Sequence, residues 1–341
     1  MRITVCVIAY NEEKTIRGIL QDIDAQDYDH SMMEIILVDS ASTDGTKAIM
    51  EEFAISSDYS RVQVLDNPKR TLPCGWNVAL SAYTGEAIIK VDAHASIPKD
   101  FVSKNVIWLK SGENIVGGER PNIVDNPTDW KNTLYLAETS MFGSSIAPYR
   151  NNPGMSYVNS LFHAAYRREV FEDVGGFNEH LARTEDNEIH YRMRLAGYKL
   201  LFAPDIRSYQ HIRGTLGSML RQKYQNGYWI GLTTGVCPKC LSLYHYVPFL
   251  FVLAIILSVP GTVINALLPL YNVVGLLTGI MWGLYWLLAI VMAVFAVVKA
   301  KEKRNITNLC LPFLFLMLHM SYGVGTLVGF IKLPKWLKGI K

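Results

Sequence analysis

The 341-residue sequence predicts an α/β domain built on a mostly parallel sheet, followed by a helical membrane region. Three observations carry this. From Val236 onward there are nine Lys/Arg and one acid, a balance of +8, whereas residues 1–235 hold 24 Lys/Arg and 29 Asp/Glu, a balance of −5. The overall +3 and the mean hydropathy of +0.15 therefore conceal an acidic soluble part and a basic, apolar part. Over residues 1–110, short apolar runs alternate with helical patterns, as expected for strands covered on both faces. Three of those runs end in carboxylates. With 50% hydrophobic residues the chain is too apolar for disorder, and its near-neutral balance argues against a nucleic-acid partner.

Taken in order, Ile3–Ala9 is a continuous β-rich run, and a helical pattern follows from Glu12 to Ala25 with Ile16, Ile19, Leu20 and Ile23 on one face. Glu34–Val38 is a second strand. Ser42 to Thr46 supplies capping residues for the next helix. Val62–Leu65 and Ala87–Val91 are further strands. Pro73–Tyr83 and Pro98–Lys110 are helices with proline at their starts. The soluble domain is expected over residues 1–212, an amphipathic interface helix and linker over 213–240, and a membrane region over 241–341. In the interface segment Met219, Leu220, Tyr224, Tyr228, Trp229 and Ile230 mix with Arg221 and Lys223, a composition suited to the headgroup level. A helix packed on the soluble domain is the alternative.

The membrane region holds three apolar segments, 246–268, 273–298 and 309–331, each long enough for the roughly 20 residues a span needs. Asn265, Pro269 and Asn272 mark the first break. The N-terminal run is too short for a signal peptide, so the first domain is expected in the cytoplasm and the chain in the cell membrane. Three full spans place the loop Lys299–Arg304 inside, as the positive-inside rule asks, but put Lys332, Lys335, Lys338 and Lys341 outside. A re-entrant third segment folding at Gly323 and Gly325 removes that conflict. Cys6, Cys74 and Cys310 read as buried thiols. Cys237 and Cys240 form a C-x-x-C without the second pair of a structural zinc site, and read as a polar turn.

Ligands of such sheets bind at the carboxyl ends of the strands. There the sequence places Ala9, Asn11 and Glu12, then Asp39, then Asp92 and His94. Neither G-x-G-x-x-G nor a P-loop is present, so a diphosphate must be neutralised in another way. A carboxylate and an imidazole holding a divalent cation do that, and Asp92 with His94 is a suitable pair. A second acidic cluster, Glu185-Asp186-Asn187-Glu188, opens a helix. The helix dipole favours acids there without chemistry, and a general base is the functional alternative.

The sequence resembles glycosyltransferase family 2, the inverting enzymes of GT-A fold, and among them most the bacterial exopolysaccharide transferases of succinoglycan-biosynthesis type. The matching segments are Val7–Glu13 (VIAYNEE), Val38–Thr46 (VDSASTDGT), Asn67–Arg70 (NPKR), Gly75–Leu80 (GWNVAL), Val91–Ala95 (VDAHA), Val174–Glu179 (VGGFNE) and Thr184–Glu188 (TEDNE). The resemblance covers about residues 3–230. It implies that Ala9, Asn11 and Glu12 line a nucleotide pocket, with Asp39 on the uracil or ribose. It implies further that Lys69, Arg70 and Asn77 lie near base and phosphates, and that His211 and Glu185 lie near the diphosphate and donor sugar. Asp92 would hold Mn²⁺ or Mg²⁺, with His94 where the family's D-x-D motif has its second acid. Asp186 matches the catalytic base. The Q-x-x-R-W motif of processive synthases is absent.

The implied reaction is inverting transfer from a nucleotide sugar, expected to be UDP-linked, to a polyprenyl-diphosphate-linked glycan at the membrane, in exopolysaccharide or capsule synthesis. Arg150 and Asn151–Tyr157 read as an ordinary surface loop, with a loop over that acceptor as the functional alternative. Two alternatives are a polyprenyl-phosphate monosaccharide synthase and an inactive scaffold in a polysaccharide assembly complex. The presence of Asp39, Asp92 and Asp186 together speaks against the scaffold. A transporter is disfavoured because no apolar segment carries a charge at its middle.

Overall fold

A computed structural model describes residues 1–143, 154–212, 214–267 and 272–340. The chain forms two compact units, Met1–Ile123 with Ala147–His211, and Val124–Ile146 with Ile212–Lys341.

The first unit is built on β1 (Ile3–Ala9), β2 (Met33–Asp39), β3 (Arg61–Asp66), β4 (Ala87–Asp92), β6 (Ile115–Glu119), β8 (Ser156–Val158), β9 (Ala165–Arg167) and β10 (Leu200–Arg207). These form one sheet in the order β3-β2-β1-β4-β9-β6-β10-β8. Strands β3, β2, β1 and β4 run parallel, as do β6 and β10, while β9 and β8 pair antiparallel. A small sheet, β5 (Ala95–Ser96), β11 (Tyr209–His211) and β7 (Asn122–Ile123), completes it. Helices α1 (Ile16–Asp24), α2 (Thr46–Ser56), α3 (Leu72–Ala82), α4 (Phe101–Lys110), α6 (Arg168–Val174) and α7 (Glu185–Leu195) belong to the same unit.

Alternation along the strands divides the core. Val5, Val7, Ile35, Leu37, Ile89 and Val91 pack with Ile16, Ile19 and Ile23 of α1 and Phe101 and Val102 of α4. Cys6, Ile8, Ile36, Val38 and Ile88 face the other way, onto Trp76 and Ala79 of α3 and Ile189 and Met193 of α7. The register sets the site. Ala9 lies opposite Asp39, and Ile8 opposite Asp92, so the three strands end on one rim.

The second unit contains α5 (Asp129–Thr139), α8 (Leu216–Thr233), α9 (Val247–Leu267), α10 (Asn272–Lys299) and α11 (Leu311–Ile340). Four features of this unit bear on the expectations from sequence, the first and last against them. First, α5 falls inside the stretch read as the soluble domain, yet its Leu134, Leu136 and Ala137 are buried with Leu311, Leu314, Phe315 and Leu318 of α11. Thr133 hydroxyl bonds to Asn308 (2.6 Å) add to the contact. Second, α11 does not fold back at Gly323 and Gly325 but continues as one helix. A Cβ at Gly325 or Gly329 would collide with the backbone carbonyls of Tyr224 and Tyr228, and one at Gly227 with that of Tyr322. The glycines thus serve close helix–helix approach rather than a turn. Third, α8 packs on α11, and Lys223 is buried, 3.1–3.2 Å from Glu138. Fourth, Cys310 is exposed, unlike Cys6 and Cys74. Helices α9, α10 and α11 are each long and apolar enough to cross a membrane. Residues 268–271, with the expected break at Pro269, lie outside the described residues.

Candidate active site

The loops after β1 and β2 are laced together. Asn11 adopts a left-handed backbone (φ 54°), which asparagine tolerates. Its N–H donates to the Ser42 hydroxyl (3.0 Å), and its side-chain oxygen accepts from the Thr43 N–H (2.8 Å). The Glu12 N–H donates to Thr46 Oγ1 (2.8 Å). Asp39 is buried, and its carboxylate accepts from the Ser42 N–H at 3.2–3.3 Å. Ala9, also buried, accepts from the Ser40 N–H (2.8 Å) and closes the floor.

Beside this floor, β4 presents Lys90 and Asp92 on the face that packs α7. The His163 ring meets both the Asp92 N–H (3.2 Å) and its carboxylate (3.6 Å). His94, just past β4, lies 3.1 Å from the Glu12 carboxylate. Lys90 is buried and ion-paired with Asp186 in the first turn of α7. Its ammonium also lies 5.2 Å from the Trp76 ring and 5.6 Å from that of Phe177.

The electrostatics follow from burial and these neighbours. Burial alone would disfavour a charged Lys90, but Asp186, Glu185 and Asp92 outweigh it and raise the ammonium above its ordinary value. Burial likewise opposes the Asp92 charge. The His163 contact, with the charges of His163, His94 and Lys90, overcomes that and holds the carboxylate well below its usual range. Glu185 is buried, its Oε2 has no hydrogen-bond partner among the described residues, and burial with the neighbouring Asp186 pushes it up to about 8. Behind it, burial pushes His190 down to about 4, and the neutral ring bonds to Tyr166 (2.8 Å) and Ser160 (3.1 Å).

Not every expected residue joins this group. Lys69 pairs with Glu179 (2.6 Å). The Asn77 amide donates to the Phe177 carbonyl (2.9 Å) and Glu179 (3.2 Å), fixing the turn before α7. Arg70 is exposed with a left-handed backbone (φ 63°). His211 sits on the small sheet, 2.9 Å from Ser96 Oγ. Residues 150–153 of the candidate acceptor loop lie outside the described residues, and Ser156–Val158 of that stretch forms β8. Sequence reasoning missed Lys90 and His163. The one available signal was a lone lysine inside the apolar run of β4.

Among the described residues no three His, Cys, Asp or Glu side chains converge as a metal cage. Asp92 and His94 still fit a cation that takes one or two protein ligands and completes its shell with phosphate oxygens and water. Their side chains are 20% and 33% exposed, and the carboxylate is held ionised.

A model of the glycosyl transferase family 2 matches residues 4–175. The succinoglycan biosynthesis protein ExoA of Rhizobium meliloti is 30% identical over 170 residues, 49% of this chain and 50% of that protein, so the match spans only half of its length. A Methanococcus voltae dolichyl N-acetyl-alpha-D-glucosaminyl phosphate 3-beta-D-2,3-diacetamido-2,3-dideoxy-beta-D-glucuronosyltransferase is 23% identical over 338 residues, 97% of each chain. The solved structure of the mannosyltransferase PcManGT from Pyrobaculum calidifontis, in complex with GDP-Man and Mn²⁺, superposes with a TM-score of 0.55 at 19% identity, covering 98% of this chain and 87% of that one.

Proposed function

The chain belongs to glycosyl transferase family 2, and we propose that it is an inverting enzyme moving a sugar from a nucleotide donor, UDP-linked in the first instance, to a lipid-linked glycan. The observation that carries this reading is the convergence of Asp92 and Asp186 on Lys90, which puts two carboxylates with different partners at the carboxyl ends of the strands. In the proposed reaction Asp186 takes the proton of the acceptor hydroxyl. The acceptor oxygen bonds to the anomeric carbon as the bond to the diphosphate breaks on the opposite face, so configuration inverts. The first turn of α7 and the ion pair with Lys90 hold the Asp186 carboxylate in position for that role. Asn11, Glu12 and Asp39 shape the nucleotide side, with Lys69, Arg70, Asn77, Glu185 and His211 around it. Asp92 and His94 would hold a divalent cation, Mn²⁺ or Mg²⁺, whose chemistry is to offset charge on the leaving diphosphate.

The Methanococcus relative's name describes transfer onto a dolichyl-phosphate-linked sugar, and three helices of this chain are long and apolar enough to cross a membrane. Both support a polyprenyl-linked acceptor, in exopolysaccharide or related glycan assembly, with the catalytic unit on the cytoplasmic face.

The test is nucleotide release from a panel of UDP-, GDP- and TDP-sugars by purified protein in detergent, with Mn²⁺ or Mg²⁺ and a membrane lipid extract. Metal-dependent release that requires the extract is expected from one donor. Lipid extraction then distinguishes a lengthened glycan from a monophosphate-linked single sugar. Absence of nucleotide binding to every donor would overturn the reading.

A further inference from the structure

The second unit answers the conflict over the lysine-rich end of the chain. Helix α11 holds the third apolar segment, whose middle lies near Met320. At that level Ser321 donates to the Leu220 carbonyl of α8 (2.7 Å), and His319 bonds to the Phe142 carbonyl (2.6 Å) and to Tyr285 (3.0 Å). The next residues of α8 are the exposed Arg221 and the buried Lys223, which pairs with Glu138 of α5. Close glycine contacts lock α8 and α11 together: Gly325 on Tyr224, Gly227 on Tyr322, Gly231 on Thr326, Gly329 on Tyr228. Thus α8 shares the depth of α11. If α11 crossed the bilayer, Arg221, Lys223 and Glu138 would lie near its midplane, with Arg221 uncovered. That is where charged side chains are most costly.

Exposure separates the helices further. Along α10 the exposed apolar residues include Leu276, Leu277, Leu287, Leu288, Ile290 and Val291, which at 100° per residue spread over about 160° of the helix surface. On α11 beyond Leu311 they are Phe313, Met317, Val324 and Ile331. At 100° per residue these four fall within about 40° of one another. Lys335 and Lys338, both exposed, continue the same stripe. A broad apolar face suits a span, while one narrow apolar stripe ending in cations suits an interface.

We propose that only the α9–α10 hairpin crosses the membrane. Helix α11, with α8 locked to it, lies in the membrane plane on the catalytic side. Its stripe faces the acyl chains, and Lys332, Lys335 and Lys338 meet anionic headgroups. Two crossings return Lys299–Arg304 and the terminal lysines to the same side. The hairpin connection, residues 268–271, carries no Lys or Arg, so the arrangement obeys the positive-inside rule throughout.

Single cysteines test this in the full chain after Cys237→Ser and Cys310→Ser: Ile55→Cys on the first unit, Leu267→Cys at the hairpin end, and Lys338→Cys on α11. All three positions are exposed. A membrane-impermeant maleimide is applied to right-side-out and inverted vesicles. Lys338→Cys is expected to label from the same face as Ile55→Cys, and Leu267→Cys from the opposite one. Labelling of Lys338→Cys together with Leu267→Cys would show that α11 crosses. Labelling of all three from one face would show that the hairpin does not. Either result overturns the proposal. As a second readout, a fluorescent protein and alkaline phosphatase are each fused before Met1 and after Lys341. Both ends are expected to fluoresce and to lack phosphatase activity, whereas opposite behaviour at the two ends overturns the proposal. Neither measurement requires turnover, so the result stands apart from the transferase reading.

Discussion

A lysine inside a buried strand needs an anion, and Lys90 finds it in Asp186, 96 residues away in sequence. Each group justifies the other. Removing one leaves a charge in a largely dry site, which costs about 3 kcal/mol at the lower end of measured values; Asp186 keeps 21% of its side-chain exposure, so the lower end applies. Lys90→Met is therefore expected to lower the melting temperature and slow transfer. Lys90→Met with Asp186→Asn should melt higher than Lys90→Met alone, as read by scanning fluorimetry in detergent. Asp186→Asn alone should keep nucleotide affinity while transfer falls roughly 10²–10⁴-fold, the range for loss of a positioned base. Near-normal turnover in that variant would remove Asp186 from the role. Glu185 gives a pH signature. In the folded chain it keeps its proton up to about pH 8, whereas an unburied glutamate releases it near 4.5. Between those values the unfolded state binds fewer protons, so the Glu185 contribution is full below about pH 4.5 and is lost as pH rises through 8. Buried His190, pushed down to about 4, works the other way below about pH 6.5, so the Glu185 effect is read above that: melting temperature should decline from pH 7 to pH 9, and Glu185→Gln should flatten the decline.

The elements divide by how far their partners lie along the chain. Strands β1, β2 and β4 are legible because a strand buried on both faces is a continuous apolar run, and their polar ends mark the rim. The far half of the sheet is not. Strands β8 and β9 are three residues each, and their pairing with β10, β4 and β6 is non-local. The site divides likewise. Asn11, Glu12, Asp39, Asp92 and His94 lie on two loops and two strand ends within residues 1–94, while the Lys90–Asp186 and Asp92–His163 pairs exist only once β4, α7 and the chain before β9 are assembled. The glycines of α11 show composition misleading a local reading, since the same residues serve a bend or a tight helix contact. They also give a test. Gly329→Leu places a side chain against the Tyr228 carbonyl and Gly231, where no flexible end can yield. We expect a loss of about 1–3 kcal/mol or more, as for other overpacked sites. Proteolysis should open α8, and fluorescence should change where Trp229 meets Trp336 edge-on at 6.2 Å. An unchanged melting curve would mean that the two helices do not depend on this contact.

At the scale of the whole chain, the sequence invites a cut after residue 212, where the soluble composition ends, and the fold argues against it. Helix α5 lies within that fragment, yet its apolar face is covered by residues from beyond 212, Met219 of α8 and residues of α10 and α11. Leu134, Leu136 and Ala137 are at most 2% exposed, and they share one core with Tyr285, Ala289, Leu311, Leu314, Phe315 and Leu318. Buried leucine side chains are each worth about 1.5–3 kcal/mol of transfer free energy. A fragment of residues 1–212 would return that surface to water, together with the Thr133 hydroxyl that Asn308 satisfies in the full chain. The fragment is expected to elute as large species on size exclusion and to bind a hydrophobic dye, although the eight-stranded sheet keeps its own core. Leu134→Gln with Leu136→Gln in the same fragment should restore a monomer, since the defect is an uncovered helix face and not a broken sheet. In the full chain the same double substitution should instead destabilise, by removing the core that joins α5 to α10 and α11. This reversal of sign between fragment and full chain distinguishes a dependence on the missing helices from a general loss of stability. A fragment that is monomeric and dye-silent without the substitutions would show that α5 is covered by something other than α8, α10 and α11.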